Sequence, residues 1–138
     1  MNEQECIGVV GCGNMGFAIA RRLILSGFDV LMGSRNPDLR HHLHFEITSI
    51  SDCINRSSTI FVAVHAEHYT NILTPLLEHS PTLFDGKILI DISNVPKKRP
   101  QQNDLSNAER LQQAIPNAYV VKAFNTVASF VMESTTAG

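Results

Sequence analysis

The sequence predicts an α/β fold in three layers, a doubly wound parallel sheet of the Rossmann type with helices on both faces. Three observations carry this. Apolar runs of four to six residues alternate with longer stretches of helical period, the pattern of parallel strands joined by crossover helices. Most of those runs are continuous, as expected of strands covered on both faces. Between the first run and the first helical stretch stands Gly11-Cys12-Gly13-Asn14-Met15-Gly16, a glycine pattern suited to a nucleotide-binding turn.

In chain order, strands are expected at Cys6–Val10, Phe28–Met32, Phe45–Thr48, Thr59–Val64, Lys87–Asp91 and Ala118–Lys122. The first helix follows the glycine turn. Asn14 is a favoured N-cap residue, and Phe17, Ile19, Ala20, Leu23 and Ile24 form an apolar stripe. Gly27 is placed to close the helix in a left-handed conformation. Further helices are expected over Ala66–Glu78, Ser106–Ala114 and from Thr126 onward. Pro96–Asn103 reads as an exposed loop, and its Lys97-Lys98-Arg99 run as a solvated surface. Six strands in this succession fit the spatial order 3-2-1-4-5-6. The chain stops about one helix past the sixth strand, on the small-residue tail Ser134–Gly138. Residues 1–138 therefore read as one domain, either minimal or part of something longer.

Composition narrows the class. A length of 138 residues leaves room for one domain. A hydrophobic fraction of 43% and a charged fraction of 17% fit an ordinary packed core rather than disorder. No apolar run approaches the roughly 18 residues of a membrane span. Met1–Glu5 lacks the basic-then-apolar start of a signal peptide, so a soluble, cytosolic chain is expected. The net charge of −2 gives no electrostatic reason to expect nucleic acid as a partner. Cys6, Cys12 and Cys53 are an odd number at no metal-ligand spacing, and read as reduced thiols.

The glycine turn has a chemical purpose at each position. Gly11 permits the tight strand-to-helix turn, Gly13 removes a side chain where a pyrophosphate approaches the backbone, and Gly16 lets the helix pack closely on the strand. Free N–H groups and the positive end of the helix dipole then face the phosphates. At the end of the second strand, where an NAD site carries an acid for the ribose 2′-hydroxyl, the sequence has Gly33-Ser34-Arg35-Asn36, and no acid until Asp38. The Ser34 hydroxyl and the Arg35 guanidinium can both donate to a 2′-phosphate. Such charge-assisted bonds contribute about 1.5–3 kcal/mol each, which predicts NADPH over NADH. The alternative is a plain polar turn.

Ligands of open α/β sheets bind beyond the carboxyl ends of the strands. Here those ends carry Ala63-Val64-His65, Asp91-Ile92-Ser93-Asn94 and Lys122-Ala123-Phe124-Asn125. They offer amides, a hydroxyl, an imidazole and an aromatic ring, but no nucleophile with a partnered base. Hydride transfer between two bound cofactors needs only proximity and orientation, so no catalytic residue is assigned. His65 and His68 lie one helical turn apart, and His41, His42 and His44 cluster in a loop. No cysteine or carboxylate completes a usual ligand set around either group, and no metal is expected. Asp91 reads as a turn-forming carboxylate rather than a general base.

Seven ordered segments together resemble the oxidoreductase domain of the STEAP metalloreductases. They are Gly11–Gly16, Gly33–Pro37, Phe61–His65, Glu67–Tyr69, Gly86–Asn94, Ser106–Glu109 and Val120–Asn125. The same domain is similar to the F420-dependent NADP oxidoreductases. The resemblance implies an NADPH-binding domain on the cytosolic side of a plasma or endosomal membrane. It is joined to a six-helix membrane domain with one haem, which this chain does not contain. Electrons would pass from NADPH to FAD, through haem, to Fe(III) or Cu(II). By the same likeness Cys12, Gly13, Asn14 and Met15 would contact the pyrophosphate, with Ser34 and Arg35 at the 2′-phosphate, and Gly11 and Asn125 would be further cofactor-binding residues. His65, Asn94 and Ala123 would line the nicotinamide side. Phe130 stands where relatives often carry a tryptophan against the flavin. A soluble F420- or flavin-dependent NADP oxidoreductase and a non-catalytic NADP(H)-binding module are the competing readings. Partners other than the coenzyme and flavin would be a second copy or the membrane domain.

Overall fold

In the computed structural model, which describes residues 5–39, 45–93 and 105–123, the chain opens on β1 (Cys6–Val10) at the centre of a six-stranded sheet. The other strands are β2 (Val30–Ser34), β3 (Glu46–Ser49), β4 (Ser57–Val62), β5 (Ile88–Asp91) and β6 (Tyr119–Lys122). Every pairing is parallel and the order is β3-β2-β1-β4-β5-β6, as the sequence predicts. Parallel neighbours demand crossovers, supplied here by α1 (Asn14–Leu25), α2 (Ile50–Asn55), α3 (Tyr69–His79) and α4 (Asn107–Ala114).

Successive strand residues point to opposite faces, which divides the core in two. Val10, Leu31, Ile60, Val62 and Leu89 meet α2, α3 and α4 on one side. Val9, Met32 and Phe61 meet Ile19 and Ala20 of α1 on the other. Each such side chain taken fully out of water contributes about 1.5–3 kcal/mol. On the α1 side the sheet beyond β4 has no helix over it among the described residues, and Ile88, Tyr119 and Val121 are exposed there.

Several element boundaries differ from expectation. Gly27 takes φ +90° and closes α1 as predicted, but the turn also draws Phe28 N–H onto the Leu23 carbonyl at 3.0 Å. β2 consequently starts at Val30 rather than Phe28. The N-cap of α1 is Gly13, not Asn14, and no side chain caps the helix. The helix expected over Ala66–Glu78 is a 3₁₀ turn at Ala66–His68 followed by α3. The sequence reading missed α2 altogether. It is six residues long, with Ser49 Oγ accepting from Asp52 N–H at its start and Ile50, Cys53 and Ile54 buried. At α4 the reading holds: Ser106 and Glu109 form a reciprocal capping box. The Pro96–Asn103 loop, the histidines at 41, 42 and 44 and the helix expected from Thr126 lie outside the described residues.

Candidate functional site

The strand–turn–helix unit at the centre of the sheet builds the site. Gly11 has φ +112°, and a Cβ there would lie 2.6 Å from the Ala63 carbonyl oxygen. Only glycine gives the chain this turn from β1 into α1 so close to the backbone that follows β4. A Cβ on Gly16 would come within 2.1 Å of the Gly11 carbonyl oxygen, so glycine here lets α1 pack down against the turn. Gly13 is different, since its Cβ would meet no protein atom within 4 Å. Its backbone faces open space at the head of α1.

That head is electrostatically bare. The first bond of the helix runs from Phe17 N–H to the Gly13 carbonyl at 3.0 Å, leaving the preceding amides without a carbonyl to pair with. The first turn has no acidic residue. Those amides and the helix dipole suit a phosphate, and a favoured cap residue at position 13 would have engaged them with its own oxygen.

Two cavities meet at this turn. One, of about 270 Å³, runs from Gly11–Gly13 past Ser34, Arg35 and Asn36 to an apolar wall that includes Ile50, Val64 and Ile72. Ser34 is nearly buried, and its Oγ accepts from Asn36 N–H at 3.1 Å. Its hydroxyl proton is therefore left to donate elsewhere. Arg35 is exposed and has no ion-pair partner among the described residues. The second cavity, of about 390 Å³, lies between Gly13–Met15, Ala63–Ala66 and Ile92–Ser93. His65 lines both, while His68 lines the first, with its ring 6.3 Å from that of His65. Of the residues singled out by sequence, Gly11, Cys12, Gly13, Asn14, Met15, Ser34, Arg35 and His65 come together along this groove. Ala123 sits two strands away, its N–H on the Asp91 carbonyl at 3.0 Å, and lines neither cavity. Asn94, Asn125 and Phe130 lie outside the described residues.

Sequence reasoning missed the bonds beneath the second cavity. Asp91 ends β5, is fully buried, and accepts from Ser93 N–H at 3.0 Å, which is the turn expected of it. It also accepts from the Tyr69 hydroxyl and from Lys122 Nζ, the latter at 3.2 Å. Burial raises the Asp91 carboxyl pKa, but the hydrogen bonds from Tyr69, Ser93 and Lys122 outweigh it, and the net shift is downward. Burial and the adjoining carboxylate push the Tyr69 phenol well above its ordinary value. An acid inside the apolar run Ile88–Ile92 was the available signal, because buried charges are paired. Cys6, Cys12 and Cys53 form no disulfide among the described residues. Burial pushes the Cys53 thiol up to about 12, which leaves it inert at neutral pH.

A helix head of unpaired amides, a hydroxyl and a guanidinium beside it, and a groove across the carboxyl edge of a doubly wound sheet define a dinucleotide-binding domain of the oxidoreductase class. Residues 6–95 match the family described as NADP oxidoreductase, coenzyme F420-dependent, and the chain belongs to that family. It is 37% identical over 134 residues to metalloreductase STEAP2 of Mus musculus, covering 95% of this chain and 26% of that protein. It is 35% identical over 135 residues to metalloreductase STEAP3 of Rattus norvegicus, covering 96% and 27% respectively. The chain thus spans about a quarter of the length of the curated relatives it matches. Among solved structures, a protein of Arthrobacter sp. FB24 assigned as an F420-dependent NADP reductase superposes with a TM-score of 0.77 at 26% identity. That match covers 91% of this chain and 64% of the other.

Proposed function

We propose that the chain is the NADPH-binding unit of a metalloreductase of the STEAP type, delivering hydride from NADPH to a flavin. The observation that carries the reading is the Ser34–Asn36 corner beside the bare head of α1. It offers a hydroxyl proton and a free guanidinium, with no carboxylate at the end of β2 to repel a 2′-phosphate. The open space at Gly13 is the cradle a pyrophosphate requires. In this reading the adenosine half occupies the cavity walled by Ile50, Val64 and Ile72, and the nicotinamide lies toward Ile92–Ser93.

When bound, NADPH supplies a hydride from its nicotinamide ring. The chain's own residues bind and orient. The first-turn amides take the pyrophosphate charge, Ser34 and Arg35 select the 2′-phosphate, and Ala63–Ala66 with Ile92–Ser93 set the plane of the far end. No side chain of the groove is asked to move a proton. Residues 1–138 act as one NADP-binding domain. Onward transfer through FAD and haem to Fe(III) or Cu(II), and a place at the cytosolic side of a membrane, rest on the resemblance to the metalloreductases. The family description favours one alternative acceptor, coenzyme F420.

The test is a pair of titrations, NADPH and NADH, on the chain and on Arg35→Ala. NADPH should bind tens-fold tighter than NADH, and the substitution should weaken NADPH alone by about ten- to a hundredfold. Equal affinity for both coenzymes overturns the reading. Oxidation of NADPH with FAD or with F420 as acceptor then separates the two enzymatic alternatives.

A further inference from the structure

The buried Asp91 lies one residue from the groove and is tied to both of its walls. Its Oδ1 takes the Tyr69 hydroxyl and Ser93 N–H, and its Oδ2 takes Lys122 Nζ. Lys122 Nζ also donates to the Ser93 carbonyl at 3.1 Å, and Asn107 Nδ2 donates to Ser93 Oγ at 2.9 Å. Ser93 is therefore held through its N–H, its carbonyl and its hydroxyl, by groups from β5, β6 and α4. On the opposite side, Tyr69 opens α3 directly after the 3₁₀ turn, and the segment leading into that turn, Ala63–Ala66, forms the facing wall of the larger cavity. The bond from Tyr69 to Asp91 joins the two walls beneath the opening.

A buried ionic cluster is weak evidence for stability alone, since well-packed apolar side chains commonly serve as well. What distinguishes this one is its place. Resting on the reading that the groove takes NADPH, we propose that Tyr69, Asp91 and Lys122 are positioning residues for the nicotinamide end. They fix the separation between Ala63–Ala66 and Ile92–Ser93, and with it the fit of the ring between them. The corner proposed for the 2′-phosphate, Ser34–Asn36 with Ile50, stands on β2 and α2, whereas the cluster stands on α3, β5 and β6.

The two ends can be titrated apart, because 2′,5′-ADP carries only the adenosine end of the coenzyme. Tyr69→Phe removes one hydroxyl and should weaken NADPH about three- to tenfold while leaving 2′,5′-ADP within about twofold. Lys122→Met, on the edge strand and 29% exposed, should show the same split, and it carries the test should Tyr69→Phe not fold. A cluster with a merely structural role would change both ligands by one factor or neither at all, and either outcome in a folded variant overturns the inference. Wild-type chain that binds neither ligand overturns the NADPH reading and this inference with it. Wild-type chain that binds both, with an unaltered ratio in the variants, overturns this inference alone.

Discussion

Gly13→Ala separates binding from folding. The residue has φ −83° and ψ −175°, extended backbone open to any amino acid, and the added methyl would meet no protein atom within 4 Å. Replacing glycine restricts the unfolded chain and stabilises by about 0.4–1 kcal/mol. Alanine is the poorer N-cap by about 0.5–1 kcal/mol. The two offset, so the net change should be within about 0.5 kcal/mol and the melting temperature should move by no more than about 2 °C. The methyl nevertheless enters the space assigned to the pyrophosphate. Overpacking of that kind costs about 1–3 kcal/mol, or roughly 5- to 150-fold in Kd. Thermal melts without coenzyme and titrations followed by NADPH fluorescence measure the two quantities on one preparation. Gly16→Ala is the counter-case: its Cβ would sit 2.1 Å from the Gly11 carbonyl oxygen, so it should lose stability before any coenzyme is added. Gly13→Ala protein that melts normally and binds NADPH as tightly as wild type would refute the placement of the pyrophosphate.

Two further outcomes follow from the buried polar bonds. The Asp91 pKa lies below its ordinary value in the folded chain. Its contribution is therefore present above the unfolded value of about 3.9 and is lost as pH falls through the folded one. Asp91→Asn should be less stable than wild type at pH 7 by on the order of 3 kcal/mol, with the gap closing below about pH 4. Urea denaturation at pH 7 and pH 3 measures this, and a gap constant with pH would contradict it. Lys87 Nζ donates to the carbonyls of Ile54, Asn55 and Ser57, closing the end of α2. Lys87→Met should lower stability by about 1.5–3 kcal/mol, read as a fall in melting temperature with NADPH-to-NADH selectivity unchanged.

The parts of this fold that were legible in the sequence are those coded locally. Cys6–Val10 is an unbroken apolar run ending on a glycine turn, and Ser106-Asn107-Ala108-Glu109 carries both halves of a capping box within four residues. Boundaries blurred where one element's ending consumed the start of the next, as when the α1 cap took Phe28 away from β2. Asn14 misled because cap preference describes what stabilises a helix. Here the head of α1 is left bare, as ligand binding there requires. α2 was too short for its period to register. The Asp91 cluster joins residues 22 and 31 positions apart, contacts that depend on the order of strands and helices in space, and neither partner alone announces them.

The groove draws its outermost corners from distant parts of the chain, with Ala63–His65 common to both cavities. Ser34–Asn36, proposed to take the coenzyme's extra phosphate, precede residue 40, while Ile92–Ser93 and their supports from Tyr69, Asn107 and Lys122 come from later in the chain. On the proposed reading, a graft exchanging only residues 33–37 between relatives should change coenzyme choice and leave the Ile92–Ser93 wall as it is.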